Sequence, residues 1–371
     1  MNPKLITEVS GAREMMSATL QDQESLAGIV EVVDVHVGGD LHRVVVGGVI
    51  EPPGSSVMEK MQHIKQHADG LRKLLLHEPR GGHPSLFADL VVKPANPEAD
   101  AGFIIMEMMG YPLISGTNTM STAIALLETG ILPMHEGQNR LRLEAPGGLI
   151  DVLVDCKKGK TRSVTYAANT PSYVAATDLV IDLPEYGKIR YDVVWTGAFY
   201  PIVDASSLGF ELLREEEEEL VRFARVFVRA VQSEARPVHP EFGDEGPFSF
   251  VVFAGKLGQG EAGDLECRVC CYEYPRNSVC RAPAGVPSTA VLSRFANRGQ
   301  LEVNQRVRTV SIFGTDLRAH VTEAVDYHGY PGFKASVTGA GWVTARSQLL
   351  VDFTDALTPR EGLASVLIPR T

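Results

Sequence analysis

Residues 114–132 read ISGTNTMSTAIALLETGIL, and residues 283–301 read PAGVPSTAVLSRFANRGQL. Laid over one another at a constant offset of 169, they match Ser115 with Ala284, Gly116 with Gly285, Gly130 with Gly299 and Leu132 with Leu301. In each, a glycine stands 15 residues after the first small residue, where the absence of a Cβ suits a left-handed C-terminal cap. Each stretch reads as a helix entered from a turn of small residues. A chain that carries this unit twice is expected to form two similar halves with a ligand cleft between them, because free N–H groups at a helix start attract anions.

Working outward, the β-branched runs IVEVVDVHV (from Ile29) and RVVVGGVI (from Arg43), separated by Gly38-Gly39-Asp40, read as two strands and a turn. Ser55 to His77 carries apolar residues at Val57, Met61, Ile64, Ala68, Leu71 and Leu75, close to a helical period. Strands are expected at LFADLVVKP and AGFIIMEMM, and from Leu141 to Ala205. One later helix is expected over Gly209–Gln232; its acidic run Glu215 to Glu219 reads as a solvated face. The class is α/β (α+β) with mixed or antiparallel sheets. We expect an N-terminal arm over 1–26, a first lobe over 27–178 plus 345–371, and a second lobe over 179–344.

The 371 residues are 44% hydrophobic and 22% charged, enough for two cores and against disorder. A net charge of -11 with dispersed acidic residues argues against a nucleic-acid surface, which needs a basic stripe. No stretch approaches the roughly 18 apolar residues of a membrane span, and the N-terminus lacks the apolar centre of a signal peptide. A cytoplasmic protein acting on a small molecule is expected, with neither nucleic acid nor membrane as partner. Cys156, Cys267, Cys270, Cys271 and Cys280 form no balanced framework, and one C-x-x-C without a second pair makes no zinc site, so no metal is expected.

An ordered series then becomes legible: VDVHVGG (Val33–Gly39), EPRGGH (Glu78–His83), FIIME (Phe103–Glu107), ISGTNT, LLETGIL, LEAPGGLIDV, NTPSY, DVVWTGAFYPIVDA, RAPAGVPSTA and SIFG. Together, from about Ala27 to about Gly362, these resemble the proline racemase superfamily of proline racemases, hydroxyproline epimerases and trans-3-hydroxyproline dehydratases. The resemblance implies two α/β lobes like those of diaminopimelate epimerase, each a curled sheet round a central helix, with a proline-like substrate between the helix starts. It implies no cofactor, and a monomer or homodimer. In the racemases each helix start supplies a cysteine, one acting on each face of Cα.

Ser115 stands where the first cysteine is expected, as in a serine-containing branch, and Thr117-Asn118 replaces His-Gly. At the second site Ala284 takes the cysteine position, Cys280 takes that of the aspartate expected at the substrate amine, and Pro287 removes one N–H from the loop. A rival register makes Cys280 the second cysteine. The resemblance points to Ser115 and Cys280 as catalytic candidates, and to Gly116, Thr117, Asn118, Gly285, Val286, His36, His83 and Trp195 as substrate-binding candidates. The structural alternative for His36 and His83 is a hydrogen bond to a backbone carbonyl at a turn; Arg80 is expected to fix a loop, Trp195 and Phe199 to be core or cleft wall, and Asp34 and Asp204 to serve an amine, a turn or the surface. Three readings follow: a one-base dehydratase or isomerase acting at Cα of a cyclic amino acid, an epimerase using Ser115 and Cys280, or a binding protein that has lost its bases.

Overall fold

The structure, a computed structural model, describes residues 26–77, 86–234, 236–244, 246–260 and 263–368. All but the last residue of the expected N-terminal arm, together with Arg80 and His83, lie outside the described residues.

The first lobe contains β1 (Leu26–Val37), β2 (Asp40–Gly47), α1 (Val57–His67), α2 (Gly70–Leu76), β3 (Leu86–Val92), β4 (Ala101–Met106), α3 (Gly116–Glu128), β5 (Gly137–Ala145), β6 (Gly148–Cys156) and β7 (Thr161–Ala168). The second contains β8 (Ser172–Leu183), β9 (Gly187–Trp195), β10 (Phe199–Asp204), α4 (Glu217–Val231), β11 (Phe250–Ala254), β12 (Gly258–Gln259), β13 (Leu265–Glu273), β14 (Ser278–Val279), α5 (Gly285–Asn297), β15 (Arg306–Val310), β16 (Asp316–Tyr327) and β17 (Tyr330–Gly339). The chain then returns through β18 (Gly341–Asp352) and α6 (Leu363–Val366) to the first lobe.

Strand directions repeat. From β1 to β7 successive neighbours run antiparallel, parallel, antiparallel, parallel, antiparallel, antiparallel. The series β9, β10, β11, β13, β15, β16, β17 repeats that order. An outer strand flanks each series, β18 against β1 and β8 against β9. β8 also pairs with β17 and closes the second lobe into a ring, while β7 pairs with β17 and joins the lobes. The expected boundary at 178/179 falls within β8, which carries its ladder to β9 and β17 from Ser172 onward.

Inside each curled sheet lies one helix, α3 in the first lobe and α5 in the second. Residues 116–127 of α3 and 285–295 of α5 are buried all round, which is what apolar or small residues on every face require. Two expected helices are shorter than the periodicity predicts. The 55–77 helix breaks at Ala68–Asp69, where the Asp69 carboxylate turns to Arg72 and Tyr111, and Gly70 packs on the Glu361 carbonyl. The 209–232 helix becomes Glu217–Val231 after a 3-10 turn, because Leu212 takes a positive φ of 60°.

Candidate active site

The helix starts meet at the lobe junction. Ser115 immediately precedes α3 and Ala284 immediately precedes α5, so Ala284, not Cys280, holds the place that matches Ser115. A Cβ on Gly116 would lie 2.3 Å from Tyr166 Oη, and one on Gly285 would lie 2.8 Å from that oxygen and 3.2 Å from Gly116 Cα. Only glycine lets the two helices approach so closely. Ala284 adopts φ 57° and ψ 135°, a conformation that strains a residue with a Cβ by about 1–3 kcal/mol.

Between the helix starts is a small cavity of ≈ 30 Å³, lined by Ser115, Gly116, Thr117, Ala284, Gly285 and Val286 with Cys280 beside them. Its polar wall also holds Asp40, Glu107, Tyr200, Cys271 and Glu273. Pro112 and Phe250 are shared with a wider groove of ≈ 710 Å³, whose walls include Phe199, Tyr111 and Phe242. The N–H groups of each helix's first turn lie at this junction and would favour an anion there; Pro287 contributes none.

On the first lobe, Asn118 organises the wall. Its Nδ2 donates to Glu107 Oε1 at 2.9 Å and to Ser115 Oγ at 2.7 Å, leaving Oδ1 to accept from His42 Nδ1 at 2.8 Å. Ser115 also hydrogen-bonds Glu107. Burial, then the Glu273 carboxylate, pushes Glu107 well above the ordinary carboxylate range, against the opposing influence of Arg276, Asn118 and Ser115. Burial drives His42 down to about 3, so its ring stays neutral.

The second lobe presents different chemistry at the same height. Glu273 pairs with Arg276 at 2.6 Å, with both side chains buried, and the Arg276 guanidinium lies over the Phe87 ring of the first lobe at 5.1 Å. Cys280 Sγ donates to Glu273 Oε1 at 3.2 Å. Its hydrogen bond with Cys271, then burial, then Glu273 push that thiol well above its usual value, so it rests protonated. Asp40 crosses from the first lobe: Oδ1 accepts the Arg281 N–H at 2.7 Å, and Gly38 and Gly39 pack on Ala282 and Arg281.

Strand register makes the two walls counterparts. His42 pairs with Phe87 across β2 and β3 and stacks on it at 5.0 Å; Glu107 follows Met106, the partner of Ala88. In the second lobe Phe250 pairs with Glu273, and Tyr200 stacks on Phe250 at 4.7 Å. Thus His42, Phe87 and Glu107 match Tyr200, Phe250 and Glu273.

Other expected residues are placed elsewhere. Asn118 stands behind the cavity wall and acts through Ser115 and Glu107. His36 stacks on Trp342 at 5.0 Å outside the cavity, and Trp195 is fully buried in the second core against His239 at 4.1 Å. Asp34 is tied to Arg43 at 3.0 Å and Asp204 to Arg294 at 2.7 Å, so neither reaches the cavity. The sequence reading missed Asp40, His42, Glu107, Glu273 and Arg276. Glu107 and Asp40 stood inside or beside quoted motifs, as strand and turn residues; Glu273 and Arg276 carried no local signal.

The family model described as proline racemase matches residues 32–361. A protein of Marinobacter nauticus is 38% identical over 341 residues, 92% of this chain and 96% of its own length. A solved hydroxyproline epimerase from Agrobacterium vitis, with bound trans-4-OH-L-proline, superposes with TM-score 0.83 at 27% identity, covering 89% of this chain and 94% of that one. A probable proline racemase from Agrobacterium radiobacter K84, with bound carbonate, gives TM-score 0.82 at 29% identity, covering 91% and 99%.

Proposed function

This chain belongs to the proline racemase family, with support for an isomerase-type role, and from that premise we propose that it moves a proton at Cα of a cyclic amino acid from one face only. The observation that carries this reading is the mismatch of the two helix starts, a hydroxyl at Ser115 against a methyl at Ala284. The substrate carboxylate sits against the N–H groups of the helix starts, which stabilise charge that develops on it as the Cα proton leaves.

Ser115 needs a partner to take its proton before it acts as a base. Glu107 fills that role when ionised, and its raised pKa makes the ionised form a stronger base. Asn118 orients both groups. Activity should therefore rise with pH as Glu107 loses its proton. With one base, the reaction is an isomerisation that does not invert the centre, or a β-elimination in which the protonated Cys280 or Ser115 meets the departing hydroxyl.

A second reading, two-face epimerisation by Ser115 and Cys280, is favoured by the presence of both on the wall of one cavity. Incubation with trans-4-hydroxy-L-proline and trans-3-hydroxy-L-proline in heavy water separates them. One-sided transfer gives deuterium at Cα with retention, or loss of water; inversion at Cα moves the assignment to the second reading. No deuterium and no product from either compound sinks both.

A further inference from the structure

Three carboxyls line the cavity, and two are already engaged. Glu107 is bonded by Asn118 and Ser115, and Glu273 by Arg276 and Cys280. Asp40 differs. The residue is 2% exposed, Oδ1 accepts from the Arg281 N–H, the Ala282 N–H stands beside the carboxyl, and Oδ2 has no hydrogen-bond partner among the described residues. A buried carboxylate oxygen without a donor is unfavourable, and the guanidinium that acts on Asp40, that of Arg276, is committed to Glu273 and the Phe87 ring. The same cavity is lined by the helix starts, which attract anions and repel cations. A ligand that satisfies both features carries a carboxylate and an ammonium at once.

We propose that Asp40 is the ammonium-binding residue, its free Oδ2 accepting a hydrogen bond from the protonated ring nitrogen of a cyclic amino acid whose carboxylate lies at the helix starts. This rests on the reading of the cavity as an amino-acid site. A proton linkage follows. Burial, opposed by Arg276 and reinforced by Glu273, brings Asp40 to about 7, and the Arg281 and Ala282 N–H groups lower it slightly. Glu273, Arg276, Cys271 and Cys280 face Asp40 from the second lobe, and Glu107 and Tyr200 share its cavity. An arriving ammonium favours the ionised form, so binding expels the Asp40 proton wherever the empty site still holds it. Affinity is therefore highest above pH 7 and falls as the pH drops below it, toward tenfold per unit.

The test is calorimetry in two buffers of different ionisation enthalpy at pH 6, 7 and 8. The probes are trans-4-hydroxy-L-proline and cyclopentanecarboxylate, which keeps the ring and carboxylate but lacks the nitrogen. The amino acid should release nearly one proton at pH 6, about half at pH 7 and few at pH 8; cyclopentanecarboxylate should bind at least tenfold more weakly and release none. Asp40→Asn keeps an acceptor for the Arg281 N–H, and should abolish the release and weaken amino-acid binding at pH 8 at least tenfold. Equal affinity of the two probes for the wild-type protein, release that persists in Asp40→Asn, or no binding of the amino acid at millimolar concentration overturns the proposal. Proton-releasing, Asp40-dependent binding without Cα exchange would leave Asp40 assigned and remove the catalytic reading instead. Exchange with pH-independent binding does the reverse.

Discussion

The two lobes share a strand order, a helix and a pair of glycines, yet the interior behind the cavity is polar in one and largely apolar in the other. At matched places the first lobe has His42, Asp89, Asn118, Ser121 and Thr122, and the second has Tyr200, Val252, Pro287, Ala290 and Val291. Asp89 is fully buried, and burial, then Glu107, pushes it well above the usual range against the opposing influence of the Thr122 hydroxyl. At the far end of the helix the contrast reverses: Arg294 of α5 binds Asp192 and Asp204, while the matched residue of α3 is Ala125. A curled sheet round a helix needs only paired strands and filled space. Inner-face side chains at the helix start can therefore differ between the lobes without altering the fold.

The strongest way to break this comparison is Ser115→Ala, which makes the helix starts alike. Cα exchange should fall by about 10²–10⁴-fold, read by deuterium incorporation with a cyclic amino acid; exchange at the wild-type rate would move the proton-transfer group off α3. Next in size is Arg294→Met, which brings α5 closer to α3 at that end. It strands Asp192, whose side chain is 1% exposed, and should destabilise the protein by about 3–5 kcal/mol in urea unfolding. A change below 1 kcal/mol would mean that Arg298, 2.6 Å from Asp192, suffices alone.

A smaller effect comes from His42. Its folded pKa is depressed to about 3, so its contribution to stability is present above about 6.5 and is lost as pH falls, by ~1.4 kcal/mol per unit. His42→Tyr, the second-lobe residue, should flatten the stability profile between pH 6.5 and 4; an unchanged slope would place the acid sensitivity elsewhere. The smallest expected gain is from Ala284→Cys, which restores a thiol opposite Ser115. Inversion at Cα should become measurable by chiral chromatography but remain slow, since Pro287 stands where Asn118 would orient it. No inversion at all would show that the second face is closed for a reason other than the missing thiol.

Periodicity and glycine placement carried the two helices and their duplication, because a buried helix must be apolar or small on every face and must end where the chain can turn. The mismatch of Ser115 with Ala284 was legible for the same reason: one offset aligned both. Helix ends near Asp69 and Leu212 were misjudged, since the apolar period runs on while a side-chain bond or a positive φ stops the helix. Asp34, Asp204 and Trp195 drew attention from motif position, but their partners lie 9, 90 and 44 residues away in Arg43, Arg294 and His239.

By itself, then, the sequence determined the fold class, the doubled unit and the mismatch of Ser115 with Ala284, all of which depend on local pattern and a constant offset. Only the tertiary structure decided which acids share the cavity, because Asp40, Glu107 and Glu273 come from separate strands and a turn. The burial and the nearby Glu273 carboxylate that raise Asp40 and Glu107 act only where both lobes enclose the same small volume.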